Sequence, residues 1–276
     1  MKNKYFFFLV LFALISCQGS NTSEETQKPE ANINVESGKK TQNEIISNVP
    51  YYWAGTINKT IPVFLHFTFV DSMFIGELTY LNTKRKEPIF IIGSIEDDSS
   101  YRLLEFENSG NISGVLSLNH ADNSLDGAWY STKNDSDFEI SLSKKDTVLP
   151  SKSFNVDRSD IYGTYAYSYG EKGYQGTFDI NKTAQGDAEI SAFSVTRDPS
   201  RNIAELEKDT ISILGNSFTY KQPSSDSCSY KIQLYKKFLV VKYLSGPGDC
   251  FSQYGVNADI TGIYLRTSKS IIDLKE

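Results

Sequence analysis

Histidine occurs twice and cysteine three times in 276 residues. A Ser-His-Asp triad or a zinc site needs an imidazole or an activated thiol in reach of its partners. Neither His66 nor His120 stands in a His-x-x-x-His or Cys-x-x-Cys setting, and both read as surface or rim residues. No Gly-x-Ser-x-Gly elbow surrounds a serine. The reading is therefore non-enzymatic, with no cofactor and no metal. Clustered cations are missing too: the net charge is −6, and without Lys2 and Lys4 it becomes −8, with 26 Lys and Arg against 34 Asp and Glu. An acidic chain without a basic stripe repels phosphate backbones, so nucleic acid is excluded as a partner. A run of some twenty apolar residues is also lacking.

A shorter run is present. Lys2 and Lys4 precede twelve apolar or small residues from Tyr5 to Ser16, and the run stops at Cys17. A basic start followed by a short apolar core is the pattern of an export signal. Leu14, Ile15, Ser16 and Cys17 resemble the lipobox of bacterial lipoproteins, in which cleavage precedes a cysteine whose sulfur carries a diacylglycerol. The resemblance implies a signal peptide over 1–16 and lipidation of Cys17. Several acyl chains, at about 0.8 kcal/mol per buried CH2, hold a protein stably to its membrane. Gln18 stands where sorting signals place Asp for inner-membrane retention, which points to the outer membrane, facing the periplasm or the cell surface.

Residues 17–48 are Ser, Thr, Asn, Gln, Glu and Lys with few bulky apolar groups. Too little surface is available there to offset chain entropy, so the stretch is a tether. As a flexible coil it spans about 30 Å. With Cys17 acylated, Cys228 and Cys250 remain as an even pair in an oxidising compartment, and a disulfide is expected. Closing that loop would contribute roughly 3 kcal/mol on the chain-entropy account.

From Tyr51 onward the pattern has period two: Val63, Leu65, Phe67 and Phe69 alternate with Phe64, His66 and Thr68, and Phe138, Ile140 and Leu142 with Glu139, Ser141 and Ser143. Residues two apart share one face of a strand. Eight such runs lie near 51–57, 62–70, 73–81, 88–95, 101–107, 112–119, 125–131 and 137–143, with turn residues at every joint. This first antiparallel domain, 49–148, is an eight-stranded meander. A break near Pro150 leads to a second β-domain over 158–270, with strands near 162–169, 174–181, 187–197, 209–214, 217–222, 228–235, 237–244 and 260–267. Ser200 to Lys208 also reads as a two-turn helix capped by Ser200. The fold class is all-β: two small antiparallel barrels or sandwiches.

At residues 248–267, "GDCFSQYGVNADITGIYLRT", the chain resembles the last strands of small exported β-domains, some of which belong to lysozyme inhibitors. That resemblance implies the fold and, as the alternative function, inhibition of lysozyme or another hydrolase. The Ser-Gly-x-x-Tyr loop of one inhibitor group is replaced here by Thr261, Gly262, Ile263 and Tyr264.

Two further groups of residues bear on function. Glu105 and Glu107 share a strand face, but Cβ atoms about 7 Å apart arise at any such pair. Tyr165, Tyr167 and Tyr169 share another, joined by Tyr174 across the expected hairpin. Tyrosine offers a flat apolar face with a polar tip, suited to a glycan or to a pocket on an envelope or host protein. The functional expectation is a membrane-anchored lipoprotein that binds through these rings without catalysing a reaction.

Overall fold

The computed structural model describes residues 50–97, 99–147, 161–250 and 253–269. Cys17, the signal and tether, and the break near Pro150 lie outside the described residues. Eight strands fall where the alternation places them: β1 (Tyr51–Ile57), β2 (Ile61–Val70), β3 (Met73–Tyr80), β4 (Ile89–Ile95), β5 (Ser100–Phe106), β6 (Ile112–Ala121), β7 (Ser124–Ser131) and β8 (Ser136–Lys144). Each pairs antiparallel with the next, and β8 pairs with β1, so the meander closes into a barrel with no free edge. A two-residue hairpin of type I′ needs positive φ at both central positions. Asp71 and Ser72 supply it between β2 and β3, at 49° and 67°. One parity of every strand fills the barrel interior, with Val63, Leu65, Leu78, Ile91, Leu103, Leu116 and Leu142 among the buried residues.

The second sheet comprises β9 (Gly163–Ser168), β10 (Gln175–Lys182), β11 (Ala188–Val195), β12 (Ile203–Ile211), β13 (Ser217–Lys221), β14 (Ser229–Leu234), β15 (Phe238–Tyr243) and β16 (Gly262–Lys269). Its order is β12-β11-β10-β9-β16-β15-β14-β13, so the final strand slots into the middle, between β9 and β15. The sheet curls until its two edges share one core, in which Leu206 of β12 and Tyr220 of β13 are both buried. Burial, with Tyr254, Asp209 and Glu207 nearby, pushes the Tyr220 hydroxyl up to about 12. Cys228 and Cys250 form a disulfide with Cα atoms 4.8 Å apart, inside the same core.

The helix expected from Ser200 is instead strand. β12 starts six residues earlier than the sequence reading placed it, and Ala204 and Leu206 face the core while Ile203, Glu205 and Glu207 face out. That is period two, and tertiary burial of two residues outweighs the local helix preference of Glu and Lys. The last strand begins two residues later than read, at Gly262.

A third apolar core joins barrel and sheet. Met73, Ile75, Ile92, Leu104, Phe106 and Val115 on the barrel's outer surface pack with Tyr235, Phe238, Val240 and Leu265 of the second sheet. Backbone contact reinforces the seam, since Ser168 N–H donates to Gly110 O at 3.1 Å from the β5–β6 turn.

Candidate functional site

Beside this seam lies a cleft of about 610 Å³, within the usual 300–1,000 Å³ of a small-molecule site. The barrel supplies one wall from the outer face of four strands. Leu104, Val115, Tyr130 and Asp137 stand in one cross-strand row, each directly opposite the next, and Arg102 and Ser117 stand opposite each other on the same two strands as Leu104 and Val115. The second sheet supplies the other wall: Tyr167, Tyr169 and Tyr174 of the β9–β10 hairpin, Ser194 to Arg197 at the end of β11, and Asn257 to Ile263 with the exception of Ile260.

Three of the four tyrosines singled out from the sequence therefore line one cleft. Tyr165 does not. It is 1% exposed in the core of the second sheet, and its hydroxyl donates to Ile161 O at 2.6 Å. The shared face runs from core to cleft along β9, with Tyr167 at the transition. The Tyr167 ring lies across Gly176, where an added Cβ would come within 2.5 Å of it, so only glycine leaves room for it there. Tyr167 meets Tyr264 edge to face at 4.9 Å and Tyr169 at 6.1 Å. Tyr174 is 41% exposed.

The second-sheet wall is braced. Gln175 Nε2 donates to Gly170 O and Glu171 O at 2.9 and 2.8 Å, fixing the hairpin tip. Asp198 N–H donates to Lys172 O at 2.8 Å and Arg201 Nη1 to Gly173 O at 3.3 Å, tying the loop after β11 to that hairpin. Ser194 Oγ donates to the Asp259 carbonyl.

Charge in the cleft is uneven in its availability. The Asp259 carboxylate already accepts from the Thr261 N–H, the Thr261 hydroxyl and the Tyr243 hydroxyl. Arg102 lies 3.9 Å from the Glu96 carboxylate and is hydrogen-bonded to the Tyr169 hydroxyl. Burial raises the Tyr169 hydroxyl, against the opposing pull of Arg102. Burial likewise raises Tyr167, helped by Asp259, Tyr169 and Tyr174. Both hydroxyls stay protonated and act as donors at neutral pH. Tyr130 donates to Asp135 at 2.7 Å, and its hydroxyl is raised first by that bond, with Asp137 adding to the rise and Arg197 opposing it.

The sequence reading missed Arg102, Arg197, Tyr130 and Asp137. One signal for them was present: "SYRLLEF" is apolar at both parities after Arg102, as expected of a strand covered on both faces. A covered outer face implies a seam, and a seam implies a cleft at its margin.

A second polar cluster sits inside the barrel. Glu105 is 2% exposed, and its carboxylate accepts from Tyr80 Oη at 2.9 Å, Trp129 Nε1 at 2.9 Å and Ser113 Oγ at 3.0 Å. Gly114 makes the space, because a Cβ there would stand 2.2 Å from Trp129 Nε1. Burial raises the Glu105 carboxyl above its ordinary value against the lowering effect of these three bonds, and Glu107 adds to the rise. Glu107 itself lies past the strand end, exposed and beside Asn111. The two carboxylates thus occupy a closed interior and open solvent respectively.

His66 lies beside Glu77, 3.5 Å from Nε2 to Oε2. His120 stacks on Tyr101 at 5.6 Å and meets Trp53 edge-on at 5.8 Å. Comparison of the chain with protein-family models, with curated proteins and with solved structures finds no match.

Proposed function

We propose that the chain is a non-catalytic binding lipoprotein of the cell envelope, held to the outer membrane through acyl groups on Cys17, with its ligand seated in the cleft between barrel and second sheet. The observation that carries this reading is a pre-shaped cleft, braced on its second-sheet side, whose lining supplies tyrosine rings and two exposed guanidinium groups. Pre-organised walls lower the ordering cost of binding. The order basic, apolar, Leu-x-Ser-Cys over residues 2–17 supports the anchor.

The test is photocrosslinking in cells that make the full chain with a photoreactive phenylalanine in place of Tyr174. A discrete adduct from that position, and none from Lys221 on the far edge strand, is the expected result. Absence of any adduct at Tyr174 rejects the cleft. In the same cells the Cys17→Ser chain should leave the membrane fraction or remain uncleaved.

Inhibition of lysozyme or another hydrolase is a second reading, favoured by one loop. Val256 is 73% exposed, while Gly255 N–H donates to Ile203 O at 3.1 Å and Asn202 Nδ2 to Val256 O at 2.8 Å. A braced loop with an apolar tip is a shape that fits a partner's pocket. Full-length protein at stoichiometric excess should slow lysozyme turbidity loss, and Val256→Asp should restore it. Unchanged lysis by the native chain eliminates inhibition of lysozyme.

A further inference from the structure

The cleft's apolar side chains are already spent. Leu104 is 6% exposed, Val115 5% and Ile112 1%, because all three are packed into the core that joins barrel and sheet. A greasy ligand would find little free hydrocarbon there. What a ligand meets is the exposed Tyr174 face, the Tyr167 and Tyr169 hydroxyls, two guanidinium groups and the Asp137 carboxylate. A peptide strand would need an unpaired sheet edge, and β9, β10 and β11 are paired on both sides.

Two guanidinium groups face one exposed carboxylate, Asp137. Arg102 lies 3.9 Å from the Glu96 carboxylate, and Arg197 has no ion-pair partner among the described residues. The Asp259 carboxylate is occupied by Thr261 and Tyr243. Guanidinium groups pair carboxylates in fork geometry, and tyrosine faces suit the C–H faces of a pyranose ring. We infer that the cleft takes an acidic saccharide, a short pyranose chain bearing carboxylates, with Arg102 and Arg197 reading its charge. This deepens the proposed function and rests on the cleft being the binding site. An anionic ligand is held here although the chain as a whole is acidic, so recognition is local to the two arginines.

The test uses the full chain in detergent and calorimetric titration with a panel: trigalacturonate, trimannuronate, triguluronate and sialyllactose, each beside its carboxyl-reduced counterpart. At least one acidic member should bind, and its reduced form should bind about tenfold more weakly or worse. Arg102→Gln and Arg197→Gln should each lower the acidic sugar's affinity about tenfold while leaving the reduced sugar within about twofold, and raised salt should weaken only the acidic sugar. Both arginines are exposed to solvent, and matching thermal midpoints identify the folded variants. The paired sugars test the inference without any variant. Equal binding of acidic and reduced sugars, lost in Tyr174→Ala, overturns the charge assignment and keeps the cleft. No binding by any acidic member up to millimolar concentration overturns the inference, and the Tyr174 adduct decides the cleft separately.

Discussion

Phe238→Ala is expected to destabilise the folded chain by about 3–5 kcal/mol and to separate the unfolding of the barrel from that of the second sheet. Phe238 is 1% exposed, stacks flat on Tyr235 at 4.3 Å, and meets Phe90 of the barrel edge-on at 6.1 Å. Around it the shared core draws on β3 to β6 from one side and on β15 and β16 from the other. Interiors packed at crystal density relax only in part when a ring is removed, so the void remains at the seam. Each sheet keeps its own separate core, which is why the loss should fall on their coupling. Calorimetry is the check: one cooperative transition in the native chain, two resolved or broadened transitions in the variant. Phe238→Leu, which keeps most of the volume, should cost less than about 1.5 kcal/mol and retain a single transition. A single sharp transition in Phe238→Ala, less than about 1 kcal/mol below the native chain, would show that the seam carries little energy.

The barrel was legible because strands such as β2 and β8 alternate apolar with polar or less buried residues and the joints carry turn residues. "VDS" and "HADNS" became tight hairpins at Asp71–Ser72 and Asp122–Asn123. Legibility failed at β12 for a physical reason. An edge strand with Glu205, Glu207 and Lys208 on or near its exposed side has the composition of a helix surface, and charge is also how an open edge is protected from pairing with other chains. Only the burial of Ala204 and Leu206 distinguishes the two, and that depends on what lies opposite.

The candidate site was half legible. Alternation placed Tyr165, Tyr167 and Tyr169 on one face, but periodicity does not say where along a strand the core ends. Here it ends between Tyr165, hydrogen-bonded inside, and Tyr169 at the cleft. Arg102 and Arg197 belong to different sheets, and only the packing of one sheet on the other brings them to one cavity. The closure of the barrel and the central insertion of β16 were likewise beyond local pattern, since both are pairings between strands distant in sequence.

Glu105→Gln is expected to remove a pH dependence that the native chain carries. The folded-state carboxyl is raised by burial, so between the ordinary carboxyl range and its folded value the folded chain holds more protons than the unfolded one. Stability then falls as pH rises through that window, and this contribution is greatest below the unfolded value. The protonated form has a place to send its hydrogen: Ser113 Oγ lies 3.0 Å from Glu105 Oε1 and 3.4 Å from the Glu105 carbonyl, so the serine can accept from the acid while donating to the backbone. The amide that Glu105→Gln introduces would keep acceptance from Tyr80 and Trp129 through its oxygen and donate to Ser113 through its nitrogen, with no charge to desolvate. Asp97 and Asp126 are lowered by hydrogen bonds, which puts their loss of stability on the acid side, and the raised tyrosines act above pH 10. Those contributions are common to both chains and cancel in the difference. Denaturant unfolding at intervals from pH 4 to pH 9 should therefore show Glu105→Gln gaining on the native chain as pH rises. Glu105→Ala should lose about 3 kcal/mol at pH 4, because it leaves the Trp129 and Tyr80 donors without their acceptor. Parallel pH profiles for the native chain and the glutamine variant would mean that Glu105 titrates at its ordinary value and that the three hydrogen bonds balance its burial.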